Sequence, residues 1–130
     1  MEFIKEYNKY TLSDSLNKLH QIESMQSVRR WNGYSPNPIS KHVIELAKEA
    51  AIRLIVQPDI YPTPRNSIEL SYKNNYEARL DIEICENKIY AIFCMPKGVS
   101  VVYRRKINLE EINNIAIQFI NGNYSLIIRR

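Results

Sequence analysis

Between residues 68 and 103 the chain sets apolar side chains at every second position in four successive runs. They are Ile68, Leu70 and Tyr72; Ala78, Leu80, Ile82 and Ile84; Ile89, Ala91, Phe93 and Met95; and Val99, Val101 and Tyr103. Period two is the repeat of a β-strand with one covered face, so the spacing predicts four strands. The separators Lys73-Asn74-Asn75, Glu86-Asn87-Lys88 and Pro96-Lys97-Gly98 are turn-forming and too short to hold a crossover helix. An antiparallel meander is the economical topology.

Helical spacing flanks this region on both sides. Leu12, Leu16, Leu19, Ile22, Met25 and Val28 recur every three or four residues after Thr11 or Ser13 as N-cap, in a helix expected to run into Trp31. Ser40 caps a second helix with Val43, Ile44, Ala47, Ala50, Ala51, Leu54 and Ile55 on its apolar side, its small centre suited to close packing on a sheet. Asn108 and Glu111 have capping-box spacing ahead of a third, which carries Leu109, Ile112, Ile115, Ala116, Phe119 and Ile120 and stops at Gly122. Tyr124 to Ile128 reads as a last short edge strand, whereas the three prolines of residues 57 to 65 argue for a stiff irregular connection. The expected fold is α+β, an antiparallel meander sheet of four to five strands with two to three helices packed on one face.

At 130 residues, without a repeat or long linker, residues 1–130 read as one domain. No apolar run approaches the length of a membrane span and the first ten residues mix acidic with apolar side chains, so the expected compartment is the cytoplasm. Cys85 and Cys94 match no zinc or redox spacing and are expected to be reduced. A strand pairing that sets Cys85 against Tyr90 and Cys94 against Asp81 leaves the sulfurs too far apart to bridge.

With helices over Leu80, Ile82, Phe93 and Val101, the opposite face of the sheet carries Arg79, Asp81, Glu83, Tyr90, Ile92, Cys94, Val102, Arg104 and Lys106. A solvated face should be mainly polar. Here Tyr90, Ile92 and Val102 form an apolar centre with a charged rim, the composition of a protein-binding patch, and Tyr90, Ile92, Val102 and Arg104 are the candidate partner-binding residues. A cover formed by Phe3, Ile4 and Tyr7 is the structural alternative. The outer face and an exposed edge strand are each compatible with a homodimer.

Known catalytic patterns are missing from the sequence. There is no nucleophile elbow and no Gly-rich phosphate loop, and His20 and His42 sit on different predicted helices, so no cofactor and no metal site is expected. Glu69, Asp81 and Glu83 are the one carboxylate cluster suited to holding a metal or acting as acid and base, and cross-strand ion pairs with Arg79 or Arg104 account for them better.

The 18 Lys and Arg against 14 Asp and Glu permit an acidic partner without demanding one. A nucleic-acid reading would use Arg29, Arg30, Trp31, Arg104, Arg105 and Lys106 as phosphate contacts and stacking platform. It meets the difficulty that Arg104 and Arg105 point to opposite faces of a strand. Trp31, at the head of Trp31-Asn32-Gly33-Tyr34, is better explained as a packed joint, with Pro36 and Pro38 forcing the chain across to the next helix.

The order Trp31-Asn32-Gly33-Tyr34, Pro38-Ile39-Ser40, Ala47 to Ala51, Pro58-Asp59-Ile60-Tyr61-Pro62-Thr63, Ile68-Glu69-Leu70 and Leu80-Asp81-Ile82-Glu83-Ile84 resembles a family of small uncharacterised proteins of bacteria, phages and mobile elements. Pro64-Arg65-Asn66 stand where members usually show glycines. The resemblance implies no activity. Its scatter over mobile elements would suit an inhibitor of a host defence system, an immunity protein or an antitoxin.

Overall fold

The computed structural model describes residues 9–25, 39–95 and 102–128. Helix α1 (Leu12–Met25) and helix α2 (Lys41–Arg53) precede five strands, β1 (Asp59–Pro62), β2 (Ile68–Lys73), β3 (Arg79–Ile84), β4 (Ile89–Cys94) and β5 (Val102–Ile107). A 3-10 turn (Leu109–Glu111) then leads into helix α3 (Ile112–Ile120). The strands pair antiparallel in sequence order, β1-β2-β3-β4-β5, which is the expected α+β meander.

Local signals account for the helix boundaries. Thr11 and Asp14 exchange side-chain to backbone hydrogen bonds at the start of α1, and the Ser40 hydroxyl accepts from the Val43 N–H at the start of α2. Asn108 and Glu111 form the capping box. At the end of α3, Gly122 takes φ +81° while its N–H and that of Asn123 reach back to the Phe119 and Gln118 carbonyls, a Schellman closure. Only Ser15, Leu19 and Ile22 of α1 are buried, in a helix that packs on α2 and β1; Leu12 and Met25 are exposed. The continuation of this helix toward Trp31 falls outside the described residues.

The core lies between the sheet and the helices. Ile68, Leu70, Leu80, Ile82, Ile84, Ala91 and Phe93 are fully buried against Val43, Ile44 and Ala47 of α2 and Ile115 and Phe119 of α3. Phe93 is its aromatic centre, with ring centroids 4.4 Å from Tyr124, 6.1 Å from Phe119 and 6.3 Å from Tyr103.

Two expectations are corrected. The proline-rich connection contains a true edge strand, β1. Thr63 N–H donates to the Ser67 carbonyl, which fixes the hydrogen-bonding phase along the register Asp59↔Ser71 to Pro62↔Ile68. Asp59, Tyr61 and Thr63 bond to β2, while Pro58, Ile60 and Pro62 direct their backbone groups away from it. The prolines thus occupy positions that need no ladder N–H. The second correction is Tyr124 to Ile128, which forms turns rather than a strand. Asn123 accepts from the Ser125 N–H, and the Tyr124 carbonyl accepts from Ile127 and Ile128 N–H, so the segment curls and buries Ile127.

A third difference concerns register. The Cys85 N–H donates to the Lys88 carbonyl, and Cys94 stands opposite Arg79, two residues from the pairing anticipated. Both thiols are free and half-buried.

Candidate functional site

On the face of the sheet opposite Phe93, the registers align side chains in rows. One row runs Asp59, Ser71, Asp81, Ile92, Arg104; the next runs Tyr61, Glu69, Glu83, Tyr90, Lys106; a shorter one runs Lys73, Arg79, Cys94, Val102. Charge is therefore sorted along each long row, with carboxylates on β1 to β3, apolar side chains on β4 and cations on β5.

The carboxylates are tied down by local partners. Arg79 Nε lies 2.9 Å from Asp81, and its Nη2 lies 3.3 Å from Glu69, one strand over. Glu83, 3% exposed, accepts from Arg65 Nε at 2.8 Å and from the Ser67 hydroxyl at 2.6 Å. Burial alone would raise the Glu83 carboxyl, but the Ser67 and Arg65 hydrogen bonds and the Arg65 charge outweigh it and hold Glu83 below the ordinary carboxylate value. Burial and the neighbouring Asp81 charge push Glu69 the other way. This cluster, the anticipated candidate for metal or acid-base chemistry, is tied into ion pairs, one between strands (Arg79 with Glu69), one within β3 (Arg79 with Asp81) and one to the β1-β2 turn (Arg65 with Glu83). Among the described residues no group of three His, Cys, Asp or Glu side chains is placed to hold a metal ion.

Arg65 and Ser67 were not anticipated as partners of Glu83. They sit in the tight turn that joins β1 to β2, where Thr63 accepts from Arg65 N–H and Asn66 adopts φ 59°. Strand alternation carries no information about such positions.

The four predicted partner-binding residues come together. Ile92 pairs with Arg104 across the ladder, and the Arg104 guanidinium lies over the Tyr90 ring at 3.6 Å from its centroid. Val102, 65% exposed, stands opposite Cys94 and next to Arg104 on the same face. Tyr90 and Ile92 are half-buried, and Arg104 and Lys106 are exposed. The result is a small apolar floor bordered by two cations.

The alternative nucleic-acid set divides. Arg104 and Lys106 share the outer face, but Arg105 points to the opposite one, donating to the Leu126 carbonyl at 2.6 Å and pairing with Glu111 at 3.5 Å. It is committed inside the fold and leaves the candidate contact set. Arg29, Arg30, Trp31 and Tyr34 fall outside the described residues, as do Phe3, Ile4 and Tyr7, the candidate cover of the outer face.

A separate open groove of about 630 Å³ runs between α1 and β1, bordered by Tyr10, Asp14, Lys18, Asp59 and Tyr61. The Tyr10 hydroxyl donates to Asp59 across it at 2.7 Å, linking the start of the helix to the edge strand.

Compared with known protein families, curated proteins and solved structures, the chain matches none. No helix among the described residues is long and apolar enough to cross a membrane.

Proposed function

We propose that the chain is a non-catalytic protein-binding module whose contact surface is the β4-β5 half of the outer sheet face, formed by Tyr90, Ile92, Val102 and Arg104. The observation that carries this reading is the exposed Val102 beside an Arg104 stacked on Tyr90, which sets an apolar and aromatic centre within a cationic rim. Aromatic and Arg anchors with an apolar floor are the residues that dominate binding energy at protein interfaces. The carboxylates across the sheet are occupied by their own arginines, which supports a structural role for them rather than catalysis.

The module acts in the cytoplasm. The resemblance to small proteins of phages and mobile elements supports an inhibitor of host defence, or an immunity or antitoxin-type protein, as its biological setting. The test is affinity purification of the tagged chain from lysate of its native host, with and without nuclease, beside the double variant Ile92→Asp, Arg104→Asp. A stoichiometric protein that survives nuclease and is lost with the folded double variant is the expected result. Undiminished capture by that variant removes this surface.

A nucleic-acid-binding role is the second reading, favoured by Arg104 and Lys106 sharing one face with Tyr90. It predicts affinity that falls steeply with salt, in proportion to the phosphates neutralised. A flat salt dependence counts against it.

A further inference from the structure

The two edges of the sheet are built differently. Hydrogen-bonding phase can be carried across the sheet from three turn bonds, Thr63 N–H to the Ser67 carbonyl, Asn74 N–H to the Ala78 carbonyl and Cys85 N–H to the Lys88 carbonyl. Along an antiparallel strand the bonding direction alternates from residue to residue. In β3, Arg79, Asp81 and Glu83 therefore bond toward β4; in β4, Tyr90, Ile92 and Cys94 return those bonds, and Ile89, Ala91 and Phe93 bond to Ile107, Arg105 and Tyr103. That leaves the N–H and C=O groups of Val102, Arg104 and Lys106 directed outward from β5, and no described residue pairs with them through its backbone.

At β1 the equivalent outward positions are Pro58, Ile60 and Pro62, two of which have no N–H to give. An unpaired edge is a template for another strand, and proline is a common way to block it. Among the described residues, one edge of this sheet is blocked and the other has no strand against any of its six residues.

The side chains beside the open edge select its occupant. Val102, Arg104 and Lys106, whose backbone groups point outward, also place their side chains together on the outer face, where all three are exposed. A second copy pairing antiparallel along most of β5, with outward-bonding residues opposite one another, would set Arg104 against Arg104 or Arg104 against Lys106. Like charges directly opposed on one face of a ladder are destabilising. A strand with carboxylates at alternate positions would instead face cations on every rung it shares with Arg104 and Lys106.

Resting on the reading of this face as a protein-binding surface, we infer that β5 takes up an extended acidic segment of the partner as a sixth strand. Main-chain hydrogen bonds to Val102, Arg104 and Lys106 supply the docking geometry, and Arg104 and Lys106 supply the selection for acidic side chains. On the outer face the segment's side chains lie beside Arg104 and Lys106, which stand between them and the apolar floor of Ile92 and Tyr90.

The probes are capped peptides of alternating Glu and Val and of alternating Lys and Val, titrated while amide exchange is read residue by residue. With the acidic peptide at ten times its Kd, exchange at Arg104 and Lys106 should slow about tenfold, as expected for a site occupied in that ratio. Exchange at Ile60 on the blocked edge should not change. Lys106→Pro should weaken the binding more than Lys106→Ala, because both lose the charge and only proline loses the outward N–H. Should Lys106→Pro fail to fold, the peptide arms with the wild-type chain decide.

No protection at Arg104 and Lys106, equal protection by the basic peptide, binding of a mixed-sequence single-stranded oligonucleotide in place of the acidic peptide, or a homodimer that already protects these amides would each overturn the inference. Loss of partner capture by Ile92→Asp, Arg104→Asp without the exchange effect overturns the strand addition alone. Capture untouched by that double variant overturns the face itself.

Discussion

Arg104 and Arg105 are neighbours in sequence and opposites in role: the first lies over the Tyr90 ring on the outer face, the second reaches the Leu126 carbonyl and Glu111 on the core side. Replacing each by Ala should separate the roles. Arg105→Ala removes a charged hydrogen bond that holds the last turn and should cost ~1.5–3 kcal/mol. Arg104→Ala gives up an exposed cation-π contact and should cost about 1 kcal/mol or less. Urea unfolding midpoints for the two variants measure the difference, and equal costs would contradict the assignment of faces.

The same division holds on β4. Phe93→Ala empties the centre of the aromatic cluster and should destabilise by ~3–5 kcal/mol, a large share of the stability of a small domain. Ile92→Asp gives up a half-buried side chain and sets a carboxylate directly opposite Asp81, and should leave the chain folded with a thermal midpoint lowered by less than in Phe93→Ala. Thermal denaturation followed by circular dichroism distinguishes them.

Glu83 and Glu69 should show opposite pH behaviour. The Glu83 carboxyl lies below its unfolded value near 4.5, so the stability it contributes is full above that value and is lost as pH falls through the lower folded value. Glu69 lies above its unfolded value, so its charge opposes folding near neutrality and that opposition fades as pH falls through the raised value. Glu83→Gln should lower stability at pH 7 by about 1–2 kcal/mol and flatten the acid side of the profile. Glu69→Gln should be no less stable than wild type at pH 7. Urea titrations from neutral to acid pH give both curves.

Asn74 joins the β2-β3 turn to the end of α3. Its Nδ2 donates to the Phe119 carbonyl and to the Tyr124 hydroxyl, and its Oδ1 accepts from the N–H groups of Tyr76 and Ala78. Asn74→Ala strands several of these partners in a buried setting and should cost ~2–3 kcal/mol. Hydrogen exchange should become faster at both Ala78 and Gly122, which a purely local effect on the turn would not produce.

Two residues with positive φ give opposite results on substitution. Glu77 holds φ 62° in the β2-β3 turn, and Glu77→Gly should stabilise by about 0.5–1 kcal/mol by removing the Cβ penalty. Gly122→Ala should destabilise by at least ~1–2 kcal/mol, since φ is +81° and an added Cβ would come within 2.6 Å of the Tyr76 ring. Chemical denaturation of the pair tests both signs.

Much of this architecture is legible in the sequence because period-two runs such as Leu80, Ile82 and Ile84 state both the strand and its covered face. The outer-face cluster of Tyr90, Ile92, Val102 and Arg104 follows from the same alternation. Misreadings arose where another force outranks local pattern. Pro58 and Pro62 look like strand breakers until their phase is known, since a proline whose nitrogen faces away from the ladder costs no bond. Tyr124, Leu126 and Ile128 alternate like a strand, but Asn123 turns the chain and the Phe93 and Phe119 rings capture Tyr124. The partners of Glu83 were hidden because Arg65 and Ser67 belong to a turn, where spacing in sequence says little about direction in space.

The placement of Pro58 and Pro62 also limits what assembly can do. Polymerisation through strand pairing needs two receptive ends per molecule, and here one end is chemically terminated. Association at β5 would therefore stop at a finite complex and saturate with concentration rather than propagate into a fibre, so a strand left open among the described residues need not become the seed of an aggregate.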